Sequence, residues 1–196
     1  MVKNYILLLC ILSSCTGTFD FRHTSTLPIR DDFFSGQVQL QHLTSRQGFK
    51  VLLTDSAGKM LDQTVFNYVS YQLDTADVNR DGRTEILIGL IKATEFDPLE
   101  KKRLFILRID HGRLRPLWLG SKVCQELVNF RCLNNGIVQT IEKTSSYKFT
   151  IGQYYWQSFG LTLQDYTGNY ESIHEALYAF QQNNNSTALS SVAIIQ

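Results

Sequence analysis

Neither sign of charge predominates in this chain: 19 lysines and arginines stand against 18 aspartates and glutamates. A balanced polypeptide has no electrostatic footprint for nucleic acid and no basic stripe for lipid headgroups, so nucleic acid is not an expected partner. Long hydrophobic runs are lacking too, since the apolar stretch Tyr5 to Leu12 is too short to span a bilayer. The sequence contains no G-x-S-x-G, H-E-x-x-H, P-loop or G-x-G-x-x-G pattern. No catalytic residue is therefore nominated by motif. His23, His42, His111 and His174 fall at no metal-ligand spacing. A clean internal repeat is also absent, which argues against repeated blades.

What is present begins at the N-terminus. "MVKNYILLLCILSSCTG" places one cation, Lys3, before the apolar run and closes it with small residues, as a secretory signal does. Leu12-Ser13-Ser14-Cys15 then resembles the lipobox of bacterial lipoproteins. That resemblance implies cleavage after residue 14, acylation of Cys15, and stable attachment to the membrane through the acyl chains. Thr16 lacks the Asp associated with retention at the inner membrane, and no acidic cluster follows, so an outer-membrane lipoprotein facing the periplasm is expected. With 1–14 as signal peptide, 15–35 reads as lipidated N-terminus and tether, because it shows no sustained period. Residues 36–182 read as a single β-rich domain and 183–196, beginning "NNNST", as a flexible tail.

Within 36–182 the signal is period two. "GQVQLQHL" alternates Val38 and Leu40 with glutamines, and "FKVLLTD" leads through Ser56-Ala57-Gly58-Lys59 into another strand. "TEILIGLIKA" and "KRLFILRID" are apolar on both faces, as strands covered on both sides are. His111-Gly112 and Asn134-Asn135-Gly136 are hairpin turns by their residue types. One helix is expected in "ESIHEALYAFQQ", from the spacing of Ile173, Leu177 and Phe180. Ten to twelve short strands with one late helix predict a mainly β fold: an antiparallel sandwich, a barrel or a small propeller-like arrangement with a C-terminal helix.

"DVNRDGRTE" carries the chemistry most open to reading. Asp77, Asn79, Asp81 and Glu85 occupy positions 1, 3, 5 and 9 of a loop with Gly82 at position 6, and the Arg83 carbonyl falls at position 7. Oxygens at that spacing can curl round a hard cation. Ile88 stands where an EF-hand needs glutamate, and strands flank the loop. The pattern, with the apolar strand reaching Gly89, instead resembles the calcium loop of FG-GAP and VCBS (integrin-like) repeats. The resemblance covers about twenty residues, a span set by one loop and its following strand. It implies calcium held for structure by Asp77, Asn79, Asp81, Arg83 and Glu85. The same residues suit a hairpin turn with a left-handed glycine, with Arg80 and Arg83 neutralising the acids locally. An alternative reading makes Asp74, Asp77, Asp81 and Glu85 the metal centre of an envelope hydrolase.

"KKRLFILRIDHGRLRPLWLGS", with the lipobox, resembles uncharacterised envelope lipoproteins of the Bacteroidetes type, a likeness that implies no activity. Tyr154, Tyr155, Trp156 and Phe159 put aromatics on both faces of one strand. They fit a sandwiched core strand, or, where outward, a platform for a glycan or an envelope protein. Cys124 and Cys132 flank "QELVNFR", which alternates without Gly or Pro. As one strand it would hold their Cα atoms about 26 Å apart, beyond the reach of a disulfide, so two separate, buried thiols acting as small hydrophobes are expected unless the chain turns there.

Overall fold

The computed structural model describes residues 25–43, 48–95, 97–120 and 123–190, the last eight by backbone alone. Cys15 and the leader 1–14 lie outside the described residues. Among the described residues twelve strands form three antiparallel meanders of four. Sheet I comprises β1 (Ser25–Arg30), β2 (Ser35–His42), β3 (Phe49–Asp55) and β4 (Met60–Phe66). Sheet II comprises β5 (Val69–Ala76), β6 (Glu85–Thr94), β7 (Asp97–Asp110) and β8 (Arg113–Trp118). Sheet III comprises β9 (Glu126–Cys132), β10 (Val138–Lys143), β11 (Phe149–Gln157) and β12 (Gly160–Tyr170), followed by α1 (Ile173–Ser190). Among the described residues no sheet closes into a barrel.

The sheets stack with sheet II in the middle, and the period of its strands makes this possible. Ile86, Ile88 and Leu90 of β6, with Phe105 and Leu107 of β7, pack on Val38, Leu40, Val51 and Leu53 of sheet I. The alternate residues Leu87, Leu104 and Ile106 face Phe130, Val138 and Tyr154 of sheet III. The middle of a strand with two buried faces favours apolar side chains at successive positions, which is why both stretches read as nearly continuous apolar runs. Sheet III is covered on its far side by α1, through Ile141, Ile151, Ala176 and Phe180. The first strands of successive sheets lie side by side, β1 on β5 and β5 on β9, giving a fan of blade-like meanders. Side chains bridge where ladders do not: Gln72 Nε2 donates to the Phe130 carbonyl at 2.6 Å, and the Cys132 amide donates to Asp74 Oδ2 at 3.0 Å.

Two boundaries differ from the sequence reading. The segment assigned to the tether 15–35 contains β1, with Ile29 2 % exposed and Leu27 packed beside it. Pro28 interrupts the alternation and removes a ladder donor, which is tolerated because β1 is the outermost strand of its sheet. The segment assigned to the tail 183–196 continues α1 as far as Ser190. The helix starts well: Ser172 Oγ accepts the Glu175 amide at 3.3 Å and Glu175 Oε2 accepts the Glu171 amide at 3.1 Å, a close relative of the capping box. Once nucleated and docked, a helix extends through weak formers such as asparagine at small cost per residue. No described helix is long and apolar enough to cross a membrane.

Candidate functional site

The acidic loop joins β5 to β6, the first and second strands of the central sheet. Arg80 and Gly82 both take left-handed backbone conformations, with φ of 61° and 82°. These turn the loop's amides inward, onto its own carboxylates. Asp77 accepts from the Asp81 amide at 3.1 Å and the Gly82 amide at 2.9 Å. Asp81 accepts from the Arg83 amide at 2.9 Å and from Asn79 Nδ2 at 3.1 Å. Glu85 is 1 % exposed and accepts the Val78 amide at 2.9 Å. Burial, with Asp81 and Asp77 alongside, pushes its carboxyl up to about 7 against the pull of the Val78 and Asn79 amides.

All the candidate metal ligands thus sit in one loop, and their oxygens are of the hard type calcium takes. In this form they close on backbone amides, and among the described residues no three His, Cys, Asp or Glu side chains converge as a metal-holding group. Binding an ion would exchange the Asn79 to Asp81 bond for ligand bonds. Local neutralisation by arginine is not how the loop is balanced. Arg80 Nε donates to the Asn135 carbonyl at 3.1 Å, and the Arg83 guanidinium lies 4.1 Å from the centre of the Phe33 ring. Asp74, grouped with these acids in the hydrolase reading, spends its carboxylate on the Cys132 and Thr75 amides.

The loop is also where the three sheets are stitched at one end. On one side the Thr84 amide donates to Asp31 Oδ2, from the β1–β2 turn, at 2.8 Å. On the other, Arg80 reaches the β9–β10 turn. Gly136 of that turn, at φ 75°, comes so close that an added Cβ would stand 2.7 Å from the Asp77 carbonyl.

The aromatic cluster does not form one platform. Tyr154 is 1 % exposed, Tyr155 and Trp156 are half-buried, and Phe159 lies in the β11–β12 turn at 92 % exposed. Alternation explains Tyr154, whose inward face meets the core between sheets II and III. Its hydroxyl donates to Glu142 Oε1 at 2.7 Å and accepts the Cys124 amide at 3.0 Å. Glu142, with no exposed surface, also accepts from Thr140 Oγ1 at 2.6 Å, Tyr166 Oη at 2.9 Å and the Gln125 amide at 2.7 Å. Four donors on one carboxylate satisfy a buried anion without a cation. Burial, reinforced by the Glu142 carboxylate, pushes the Tyr154 phenol far above its usual range.

Beside this network a cavity of about 200 Å³ opens between β7 and the start of β9. Its wall combines Trp118, Leu104 and Leu127 with Lys101, Lys102 and Lys143. Sequence reading missed both features. The available signal was Thr140 and Glu142 in "VQTIEK", where polar residues two apart on a strand share a face with its cross-strand neighbours. Cys124 and Cys132 are free. Cys132 ends β9, but Cys124 precedes the strand, which starts only at Glu126, and is exposed, so the single strand expected over 124–132 and the burial of both thiols do not hold. No protein family, curated protein or solved structure matches this chain.

Proposed function

We propose that this chain is a lipid-anchored protein of the bacterial cell envelope, held at the outer membrane through Cys15 and facing the periplasm. Its role is binding or assembly with another envelope protein or a glycan, stabilised by one calcium ion in the β5–β6 loop. Asp77, Asn79, Asp81, the Arg83 carbonyl and Glu85 would hold that ion. The observation that carries a structural use is the loop's position: it is hydrogen-bonded to Asp31 on one side and to the Asn135 carbonyl on the other. An ion fixing this loop would fix the ends of all three sheets together.

The hydrolase alternative is supported less. A catalytic metal needs an open coordination position and a second group in reach. Glu85 is buried behind the loop and Asp74 is committed to the β9 backbone. The anchor rests on Leu12-Ser13-Ser14-Cys15 alone. Fractionation of cells carrying Cys15→Ala is the test: the variant should be soluble in the periplasm or remain an uncleaved precursor. A mature-sized variant in the membrane fraction would overturn it.

A further inference from the structure

The cavity between sheets II and III has a composition that the core does not explain. Among the described residues its wall carries Lys101, Lys102, Arg103 and Lys143 alongside Asp97 and Glu126. Asp97 is already engaged twice, by Arg103 at 2.8 Å and by Lys101 at 3.1 Å. Lys102 donates to the Val128 carbonyl at 2.8 Å and lies 4.6 Å from the centre of the Tyr71 ring, so its ammonium meets a dipole and a π face but no carboxylate. Lys143 lies 4.9 Å from the centre of the Tyr147 ring. Glu126 stands opposite Lys143 in the ladder, yet no ion pair joins them.

A half-buried ammonium without a counter-charge is costly, because desolvation is not offset by an ion pair. Burial accordingly lowers the Lys102 pKa. The same wall also carries Leu104, Trp118, Val123 and Leu127. Trp118 lies across Gly120, where an added Cβ would fall 2.1 Å from the indole, so the ring is held in place as part of the wall. Gln125, Thr144 and Ser145 also line the cavity.

We propose that this cavity binds a small organic anion, its carboxylate or phosphate group taken by Lys143 and Lys102 and its apolar part set against Trp118. The two headgroups share the chemistry of a compact anion with several acceptor oxygens, which lysine meets as a point charge. The mixed wall selects against a bare inorganic ion, which would leave the indole face unused. A volume of about 200 Å³ limits the ligand to the size of a short acid or its phosphate counterpart. For its purpose this site rests on the binding role proposed above. Its failure would leave the anchor and the calcium loop standing, because neither is measured in the test below.

The test uses the full chain carrying Trp156→Phe, so that tryptophan fluorescence reports Trp118 alone. Hexanoate, hexyl phosphate and hexan-1-ol are titrated at constant ionic strength. Saturable quenching or enhancement by either anion is expected, and which of the two binds more tightly identifies the headgroup. Hexan-1-ol should bind at least about tenfold more weakly, as should both anions to Lys143→Gln, since one partner of the charge-assisted hydrogen bond loses its charge in each case. Lys143 is half-exposed at a strand end, so the variant should fold, and Lys143→Glu should abolish binding. Lys59→Gln, in the exposed β3–β4 turn, should bind as the parent does. The proposal is overturned if neither anion saturates, if hexan-1-ol matches them, or if Lys143→Gln matches the parent.

Discussion

Replacing Glu85 by glutamine should stabilise the protein without calcium and abolish most of its response to calcium. The carboxyl is buried and its pKa in the folded chain is about 7, against an ordinary 4.5. Because the folded value is raised, stability from the protonated form is complete below about pH 4.5 and is lost as pH rises through about 7. At pH 8 the folded state bears the whole cost of the buried charge, about 3 kcal/mol at ~1.4 kcal/mol per pKa unit. Glutamine keeps an oxygen for the Val78 amide and removes the charge, though its own NH₂ needs an acceptor and gives back about 1 kcal/mol if none is found. A net gain of about 2 to 3 kcal/mol raises the melting temperature by roughly 5 to 10 °C for a domain of this size.

The assay is thermal unfolding of wild type and Glu85→Gln in chelator at pH 4.5 and at pH 8, then at pH 8 with calcium. In chelator the two curves should coincide at the lower pH and separate at the higher. Calcium at about 100 times its Kd adds about 2.7 kcal/mol by mass action. Wild type should gain it, whereas Glu85→Gln and Asp81→Ala should gain much less. If Glu85→Gln melts lower than wild type at pH 8 in chelator, the account of its burial is wrong. If calcium shifts all three proteins equally, or none, the β5–β6 loop is only a turn.

Alkylation of the native protein should label Cys124, which is exposed, far faster than Cys132, whose thiol burial and Asp74 push well above its usual pKa. A disulfide-linked peptide pair found under non-reducing conditions would break the β9 assignment. Gly89→Ala should cost about 1 to 3 kcal/mol by overpacking, because its Cβ would stand 2.6 Å from the Tyr71 ring and 2.9 Å from Phe130. Denaturant unfolding measures it, and a neutral result would mean that sheets II and III do not meet as closely as described. Tyr71→Phe should be neutral or stabilising by the same measurement, since the Tyr71 hydroxyl is buried without a partner.

Local periodicity was enough to determine most strands, most turns and the start of α1. Alternation in "GQVQLQHL" and two-sided apolar runs in "TEILIGLIKA" and "KRLFILRID" follow from backbone geometry that acts over neighbouring residues. His111 and Gly112 take the left-handed conformations their residue types suggest, at φ 49° and 73°. The division into three meanders was not legible. Hairpins differ little in sequence from connections between sheets, and the repeat exists in the topology without an accompanying repeat of residues. β1 was hidden because Pro28 breaks a pattern only six residues long. Chain-distant partners decided the rest. Glu142 is acceptable in the core only because Thr140, Gln125, Tyr154 and Tyr166 converge on it from four separate positions in the chain. Lys102 and Lys143 line one cavity only because β7 and β10 belong to sheets that pack together. Burial and charge compensation depend on what lies across a sheet interface, and no spacing along the chain encodes that.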